Sequence, residues 1–537
     1  MRRFTSLAVA LASLALGHAA AANAQEVPRV VSKDGRHALM VDGAPFLMLG
    51  AQVHNSSNYP AMLPKVWPVI DQLQANTLQV PIAWEQVEPQ EGKFDFSFLD
   101  TLVKQAREHD VRLVLLWFAT WKNTGTAYAP GWVKLDPKRF PHMIDREGKK
   151  HYAFTPFARS TLEADKKAFV AMMRHLKAID PQNTVIMVQV ENEAGNYSSA
   201  RDHSAEANTL FAGQVPAALL KKTGKKPGTW SQVFGRDADL FFQTWYLAGY
   251  IDEIAAAGKA VKPLPMYANA ALPGNPFTWQ DPNTYASGGP SPAVIDVYEV
   301  AAPHLDVVGP DIYNPDHKAY LGFLDAYARA DNPLFVPETG NARPYARYFF
   351  PTIGRGAIGW SMFGMDGSGY SNYPLGAKTL DAETIERFAR NYRLFRPMQR
   401  EWAKLAFTGK TWGVAEPTDP TAKFSQSLDL GGYTAKVTFG RPQFGFEDPK
   451  GNDEPKGGMV VAQLGPDEYL VTGFDARIEF ALKDAKGRNL IYDRIEQGHY
   501  DHGRWVFERV LNGDQTDYGI NFGPEQQVLK IKFGTWE

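Results

Sequence analysis

Two stretches of this 537-residue chain end an apolar run in a carboxylate, and both are placed to do acid–base or nucleophilic chemistry. The first, Thr184-Val185-Ile186-Met187-Val188-Gln189-Val190, runs directly into Glu191-Asn192-Glu193. Read as a strand, its period of two puts Gln189, Glu191 and Glu193 on one face, with Val188 and Val190 on the other. A carboxyl group partly withdrawn from water at such a strand end keeps its proton to higher pH, as a general acid requires. For Glu191 a structural role is the alternative. The second stretch, Asn332-Pro333-Leu334-Phe335-Val336-Pro337-Glu338-Thr339-Gly340, ends in Glu338. Two carboxylates facing one pocket are the minimum kit for cleaving a glycosidic bond, one protonating the leaving oxygen while the other attacks the anomeric carbon or activates water.

Aromatic residues accompany both. Trp84, Trp117, Trp121, Tyr313 and Trp360 fall in or just after apolar runs, and flat rings suit the C–H faces of a sugar. Tyr313 and Trp360 stand out by their positions at strand ends, while core packing is the competing role for any one tryptophan. His54, in Ala51-Gln52-Val53-His54-Asn55, could contact a sugar, act as a base or sit as a satisfied buried histidine. The 12 histidines form no metal-binding pattern such as H-E-x-x-H, so the expectation is a site with no metal and no cofactor.

The elements that must position these groups form a repeating pattern. Eight short apolar runs, at 46–53, 76–82, 112–118, 184–190, 264–268, 305–312, 333–336 and 356–362, alternate with amphipathic stretches whose apolar residues recur every three or four positions. That predicts a (β/α)₈ barrel over 25–400, in which reactive groups gather where strands end at the C-terminal face. An open doubly wound sheet is the other α/β arrangement, but no G-x-G-x-x-G opens a helix. Residues 198–263 form a long excursion after the fourth strand, of the kind that shapes a site. From 401 to 537 the texture changes to short alternating segments separated by turn residues, which predicts a smaller β-sandwich domain, with a long loop at 440–458.

Composition narrows the partners. Lys and Arg number 57 against 59 Asp and Glu, a net charge of -2 that argues against a nucleic-acid backbone and suits a neutral ligand. There is no cysteine, which removes thiol chemistry, disulfides and thiolate metal sites. Residues 1–24 combine Arg2-Arg3, an apolar stretch from Leu7 to Leu16 and a final Ala22-Asn23-Ala24. This is the pattern of a cleaved secretory signal, so the expected location is periplasmic or secreted in a bacterium, with no membrane attachment after cleavage.

With these residues in place a resemblance emerges. Glutamates after the fourth and seventh strands, with Asn192 before the first, resemble the retaining clan of (β/α)₈ glycoside hydrolases. Within it, Val188-Gln189-Val190-Glu191-Asn192-Glu193-Ala194-Gly195 resembles the Q-V-E-N-E-Y-G motif of family 35 β-galactosidases, with Ala194 in place of tyrosine. The stretch from Trp84 to Phe96, with Glu88-Pro89, Gly92 and Phe94-Asp95-Phe96, is similar to a segment that families 35 and 42 share. Ala129-Pro130-Gly131-Trp132-Val133 is similar to the family 35 stretch G-x-P-x-W-L. The chain departs from the family at His54-Asn55-Ser56-Ser57, in its nucleophile segment and in the long excursion.

The resemblance implies Glu193 as acid/base, Glu338 as nucleophile and Asn192 at the sugar 2-hydroxyl. Tyr313, Trp360, His54, Trp84 and Trp121 are the further substrate-contact candidates. It also implies an exo-acting β-galactosidase that removes galactose from plant cell-wall oligosaccharides such as xyloglucan fragments. A β-glucosidase or arabinopyranosidase of the same clan and a non-catalytic carbohydrate-binding barrel are the alternatives.

Overall fold

The computed structural model describes residues 26–123, 125–419, 421, 424–440 and 448–537. The signal pattern at 1–24 lies outside these described residues. Three short antiparallel strands, β1 (Arg29–Lys33), β2 (Arg36–Val41) and β3 (Ala44–Phe46), come first. A parallel barrel follows, built of β4 (Met48–Gln52), β5 (Thr77–Ala83), β6 (Arg112–Lys122), β9 (Val185–Asn192), β10 (Met266–Ala271), β11 (Val307–Ile312), β12 (Phe335–Val336), β13 (Glu338–Thr339) and β14 (Gly359–Phe363). A small hairpin, β7 (His142–Ile144) and β8 (Lys150–Phe154), sits in the loop after β6.

β12 and β13 are two halves of one barrel position, interrupted at Pro337, which has no N–H to give to a ladder. The lower half pairs with β14 through Phe335 and Gly359, and the upper half pairs with β11 through Glu338 and Asp311. The barrel thus closes with eight positions. Helices α1 (Leu63–Leu73), α2 (Ser97–Glu108), α3 (Arg159–Ile179), α4 (Ala238–Val261), α5 (Ile295–Ala301), α6 (His317–Tyr327), α7 (Phe349–Gly354) and α8 (Ala382–Phe395) follow the successive positions. The expected (β/α)₈ barrel is what forms.

Alternation along β6 shows how the sequence divides its faces. Leu113, Leu115 and Trp117 join the core between strands and helices, whereas Val114, Leu116 and Phe118 point into the barrel. The inward set meets Met48, Met187, Tyr267, Val307 and Phe335. Leu39, Val41 and Phe46 of the leading strands belong to the same cluster and plug the N-terminal end of the barrel. Above this apolar floor lies a polar layer. Tyr267 donates its hydroxyl to Gln79 at 2.8 Å, and the Gln79 amide donates to the Pro337 carbonyl at 2.6 Å. The carboxylates stand above that layer.

Three features differ from the sequence reading. The leading strands β1–β3 were not anticipated because their pattern is too short to distinguish from turns. β6 runs on to Lys122, so it delivers a cation to the mouth of the barrel. The excursion at 198–263 is mostly helical and carries its own apolar core, in which Ala207, Leu219, Trp230 and Phe242 meet.

Beyond the barrel, two sheets form the β domain. One orders its strands as β15 (Thr411–Ala415), β18 (Gly458–Gly465), β19 (Glu468–Phe474), β24 (Val528–Trp536), β21 (Asn489–Asp501) and β22 (Arg504–Val510). The other orders β16 (Ser425–Asp429), β17 (Tyr433–Thr438), β20 (Ala476–Leu482) and β23 (Ile520–Phe522). Val437, Ile478, Val471 and Leu529 share the core between them. This domain rests on α7 and α8 of the barrel: a Cβ on Gly458 would meet Phe350 at 2.1 Å, and Arg390 pairs with Asp475 at 2.7 Å. Part of the expected 440–458 loop, residues 441–447, lies outside the described residues.

Candidate active site

The end of β9 decides where three polar groups go. Val188 and Val190 pack outward against the helices as the alternation requires. Then the backbone leaves the strand conformation, with Glu191 at φ 62° and Glu193 at φ 45°, both in the left-handed region that costs a non-glycine residue about 1 kcal/mol or more. The turn at Glu191 breaks the period of two, so Glu191 does not share a face with Glu193. This corrects the expectation from strand alternation that Glu191 and Glu193 share one face. Glu191 instead faces the helix layer, where the backbone N–H of Trp121 donates to its Oε2 at 2.8 Å and the Asp165 carboxyl of α3 hydrogen-bonds to it.

Glu193 faces a cleft of about 400 Å³ at the C-terminal mouth. Its backbone N–H donates to Asn269 Oδ1 at 2.8 Å, and Lys122 Nζ lies 3.9 Å from its Oε2. Asn192 is buried behind it; with its amide oxygen turned toward Glu193, that oxygen accepts from the Glu193 backbone N–H at 3.1 Å and from Lys122 Nζ at 3.2 Å. Glu338 enters the same cleft from β13. Tyr313 donates its hydroxyl to Glu338 Oε2 at 2.7 Å, and the Gln52 amide donates to Oε1 at 2.8 Å, so both oxygens of this buried carboxylate are oriented.

A third carboxylate completes the group. Asp311, at the end of β11 and paired in register with Glu338, accepts from Asn269 Nδ2 at 2.6 Å. One carboxylate oxygen from each of Glu193, Asp311 and Glu338 lies within 4.8 Å of the others. Three buried acids so close cannot all ionise, and burial together with the neighbouring carboxylates pushes Asp311 well above the usual carboxylate range. Burial and the charge of Glu193 raise Glu338 as well, against the lowering effect of Lys122 and of the Tyr313 and Gln52 bonds. The Tyr313 phenol is likewise raised by burial and then by the carboxylates around it, which keeps it a donor. The three acids have the spacing to hold a cation, and the Lys122 ammonium stands 3.9 Å from one of them, Glu193.

The other expected contacts separate into two groups. Tyr313 lines the cleft, as do Asn55, Lys122, Asn123, Tyr197 and Phe363. The tryptophans do not, and this corrects their reading as sugar walls. Trp84 is buried and donates to Glu88 at 3.0 Å; Trp121 packs edge-on against Tyr250 of α4; Trp360 donates to Tyr320 at 3.0 Å amid Phe349 and Phe388. Each indole lies in the core between the strands and the helices that cover them. Trp117 does the same, donating to Asp165 at 2.8 Å.

His54 also resolves as a buried group. Its Nδ1 lies 3.0 Å from Asp366, whose other oxygen accepts the His54 backbone N–H at 2.7 Å. Its Nε2 points at Gly364, where a Cβ would stand only 2.6 Å away. Asn55 takes the place on the cleft wall instead. Despite the raising effect of burial, the His54 bonds hold the Asp366 carboxyl well below its ordinary range.

Sequence reasoning missed Asp311, Lys122 and Gln52. The signal for Asp311 was present in Gly309-Pro310-Asp311-Ile312-Tyr313, where it stands two residues before Tyr313 and therefore on the same face of one strand.

Comparison with known proteins bears on this geometry. Residues 65–234 match the family model described as Beta-galactosidase, that of glycoside hydrolase family 42. The barrel resembles that of β-galactosidases. The β-galactosidase resemblance read from the sequence therefore holds, with the quoted motifs pointing to family 35 and the matched model to family 42. A β-galactosidase of Xanthomonas manihotis is 27% identical over 229 residues, covering 41% of this chain and 36% of that protein. Beta-galactosidase 11 of Arabidopsis thaliana is 30% identical over 132 residues, 22% of this chain and 15% of that protein. The chain thus spans well under half the length of these curated relatives. A solved β-galactosidase from the psychrophilic Marinomonas ef1 shares the fold with a TM-score of 0.50 at 11% identity, over 67% of this chain and 61% of that one. Residues 388–523 match a family model described as Domain of unknown function (DUF5597).

Proposed function

We propose that this protein is an exo-acting, retaining β-galactosidase that releases terminal galactose by double displacement. The observation that carries the reading is the approach of Glu193 and Glu338 oxygens to within 4.8 Å across one cleft. Retaining enzymes hold their two carboxyl groups about 5–5.5 Å apart, whereas inverting enzymes need about 6.5–9.5 Å to admit a water. In the first step Glu338 attacks the anomeric carbon and Glu193 gives its proton to the leaving oxygen, forming a glycosyl ester on Glu338. In the second, Glu193 takes a proton from water as that water displaces the ester, and the sugar leaves with its original configuration.

The surrounding residues suit these roles. Tyr313 and Gln52 fix the attacking carboxylate by two hydrogen bonds. Lys122 and Asn192 hold the backbone and carboxylate of Glu193. The β-galactosidase names of the matched family and relatives favour galactose as the glycone. A galactosylated plant cell-wall oligosaccharide, such as a xyloglucan fragment, is the proposed natural substrate, met in the periplasm or outside the cell if residues 1–24 direct secretion. A panel of nitrophenyl glycosides tests the glycone: β-galactoside turnover well above that of β-glucoside and α-arabinopyranoside is expected, and the reverse order would overturn it.

A further inference from the structure

Among the described residues 26–400, the exposed tyrosines, phenylalanines and tryptophans all lie on segments that follow C-terminal strand ends: Tyr59, Tyr152, Tyr197, Phe277 with Trp279, and Tyr370 with Tyr373. The opposite end of the barrel has none. Scattered exposed apolar residues need no explanation, but their confinement to one rim does.

The loop after β10 shows that this rim is built. It lines the cleft through Leu272, Pro273 and Gly274. Gln280 accepts from the Gly274 N–H at 3.0 Å and donates to the Asn275 carbonyl at 3.0 Å, which folds the loop back on itself. Trp279, next to Gln280, is 49% exposed yet firmly held. Its indole N–H donates to Asp237 at 2.7 Å, and the Arg236 guanidinium sits 4.3 Å from the ring centroid. Both partners come from the excursion, at the start of α4. Phe277 is backed by Gly322 of α6, where a Cβ would meet the ring at 2.4 Å. Three barrel positions away, Tyr373 is 65% exposed and stands between Asn372 and Leu375, both of which line the cleft.

A ring clamped on one side and open on the other loses little freedom when a ligand covers it. Such rings match the C–H faces of pyranoses; Arg236 and Asp237 bring opposite charges to Trp279, and Lys318 Nζ lies 5.3 Å from the Phe277 ring centroid. We propose that Phe277, Trp279 and Tyr373 form a platform for the leaving oligosaccharide, seating sugars beyond the bond that Glu193 and Glu338 break. This deepens the galactosidase reading and rests on it for the identity of the bond broken.

The test compares wild type with Trp279→Ala, Tyr373→Ala and Trp279→Phe on 4-nitrophenyl β-galactoside and on a galactosylated xyloglucan oligosaccharide. For the nitrophenyl substrate kcat/KM should stay within about twofold in every variant, since none of the three rings lines the cleft that holds Glu193 and Glu338. For the oligosaccharide, kcat/KM should fall about tenfold in the two alanine variants through KM, with Trp279→Phe keeping most of it. Equal losses on both substrates, or no loss on either, would overturn the proposal. Calorimetry with the galactose-free oligosaccharide separates this proposal from the galactosidase reading. Binding to wild type that weakens in Trp279→Ala supports the platform even if no galactoside is turned over, and absence of binding to wild type counts against it.

Discussion

Two buried carboxyl clusters stand back to back at the end of β9, one open to the cleft and one sealed behind it. Glu193 meets Asp311 and Glu338 at the mouth of the barrel, while Glu191, two residues earlier, meets Asp165 among the helices. All five side chains are acids with little contact with solvent. The difference lies in the partners. Around Glu338 the donors are Tyr313 and Gln52, with Lys122 near Glu193, and a cleft adjoins the group. Around Asp165 the donors are Trp117 and Thr120, Glu191 takes the Trp121 N–H, and Tyr250 closes the layer through Thr120. An unpaired buried charge costs several kcal/mol, so the sealed pair keeps a proton and ties α3 to the strand end. Burial of an acid is therefore no sign of reactivity by itself; an adjoining cleft and a neighbouring cation set apart the cluster to which the proposed chemistry is assigned.

If this contrast is right, substitutions in the two clusters should differ by orders of magnitude. Glu338→Gln should lower kcat on a chromogenic galactoside by about 10³-fold or more, because the amide is a far poorer nucleophile than the carboxylate at the anomeric carbon. Glu193→Gln should lower hydrolysis about 10²–10⁴-fold, the range for a lost acid/base, and added azide should restore turnover by attacking the ester without a base. A galactosyl azide of retained configuration is the product to look for.

Asp311 sharpens the account of the open cluster. Asp311→Ala should cost about 10-fold in kcat/KM through the loss of a buried hydrogen-bonding group, and Asp311→Asn should recover most of it if the residue works in its neutral form. Equal losses in both variants would mean that it works as an anion.

The smallest effect on activity belongs to the sealed pair. Glu191→Gln should leave kcat/KM within about threefold, since the amide still accepts from Trp121 and can donate to Asp165. Its signature is in stability. Burial raises both Glu191 and Asp165, so the folded protein retains a proton that the unfolded chain releases above about pH 4. That contribution to stability is full in acid and is lost as pH rises toward the raised folded value. The Tm of wild type should therefore fall more between pH 5 and pH 8 than that of Glu191→Gln.

What the sequence made legible follows from this contrast. Glu193, Glu338 and Tyr313 could be placed because each ends an apolar run, and the barrel sends such residues to its mouth. Glu191 could not, because the left-handed backbone at φ 62° turns it away from the face that alternation assigns. The tryptophans failed for a related reason: a barrel strand has two sides, and the indoles of Trp84, Trp121 and Trp360 occupy the one beneath the helices. Asp165 carried a signal of its own, an acid among Leu162, Phe169 and Met172 on the buried stripe of α3. Trp279 gave none, since Arg236 and Asp237 reach it from a segment more than 40 residues earlier.

The central claim is that Glu338 forms a covalent intermediate while Glu193 supplies and removes the proton. Proton NMR during hydrolysis of a β-galactoside, read before the released sugar mutarotates, tests it most directly. β-Galactose as the first product is the predicted result; α-galactose as the first product would contradict it.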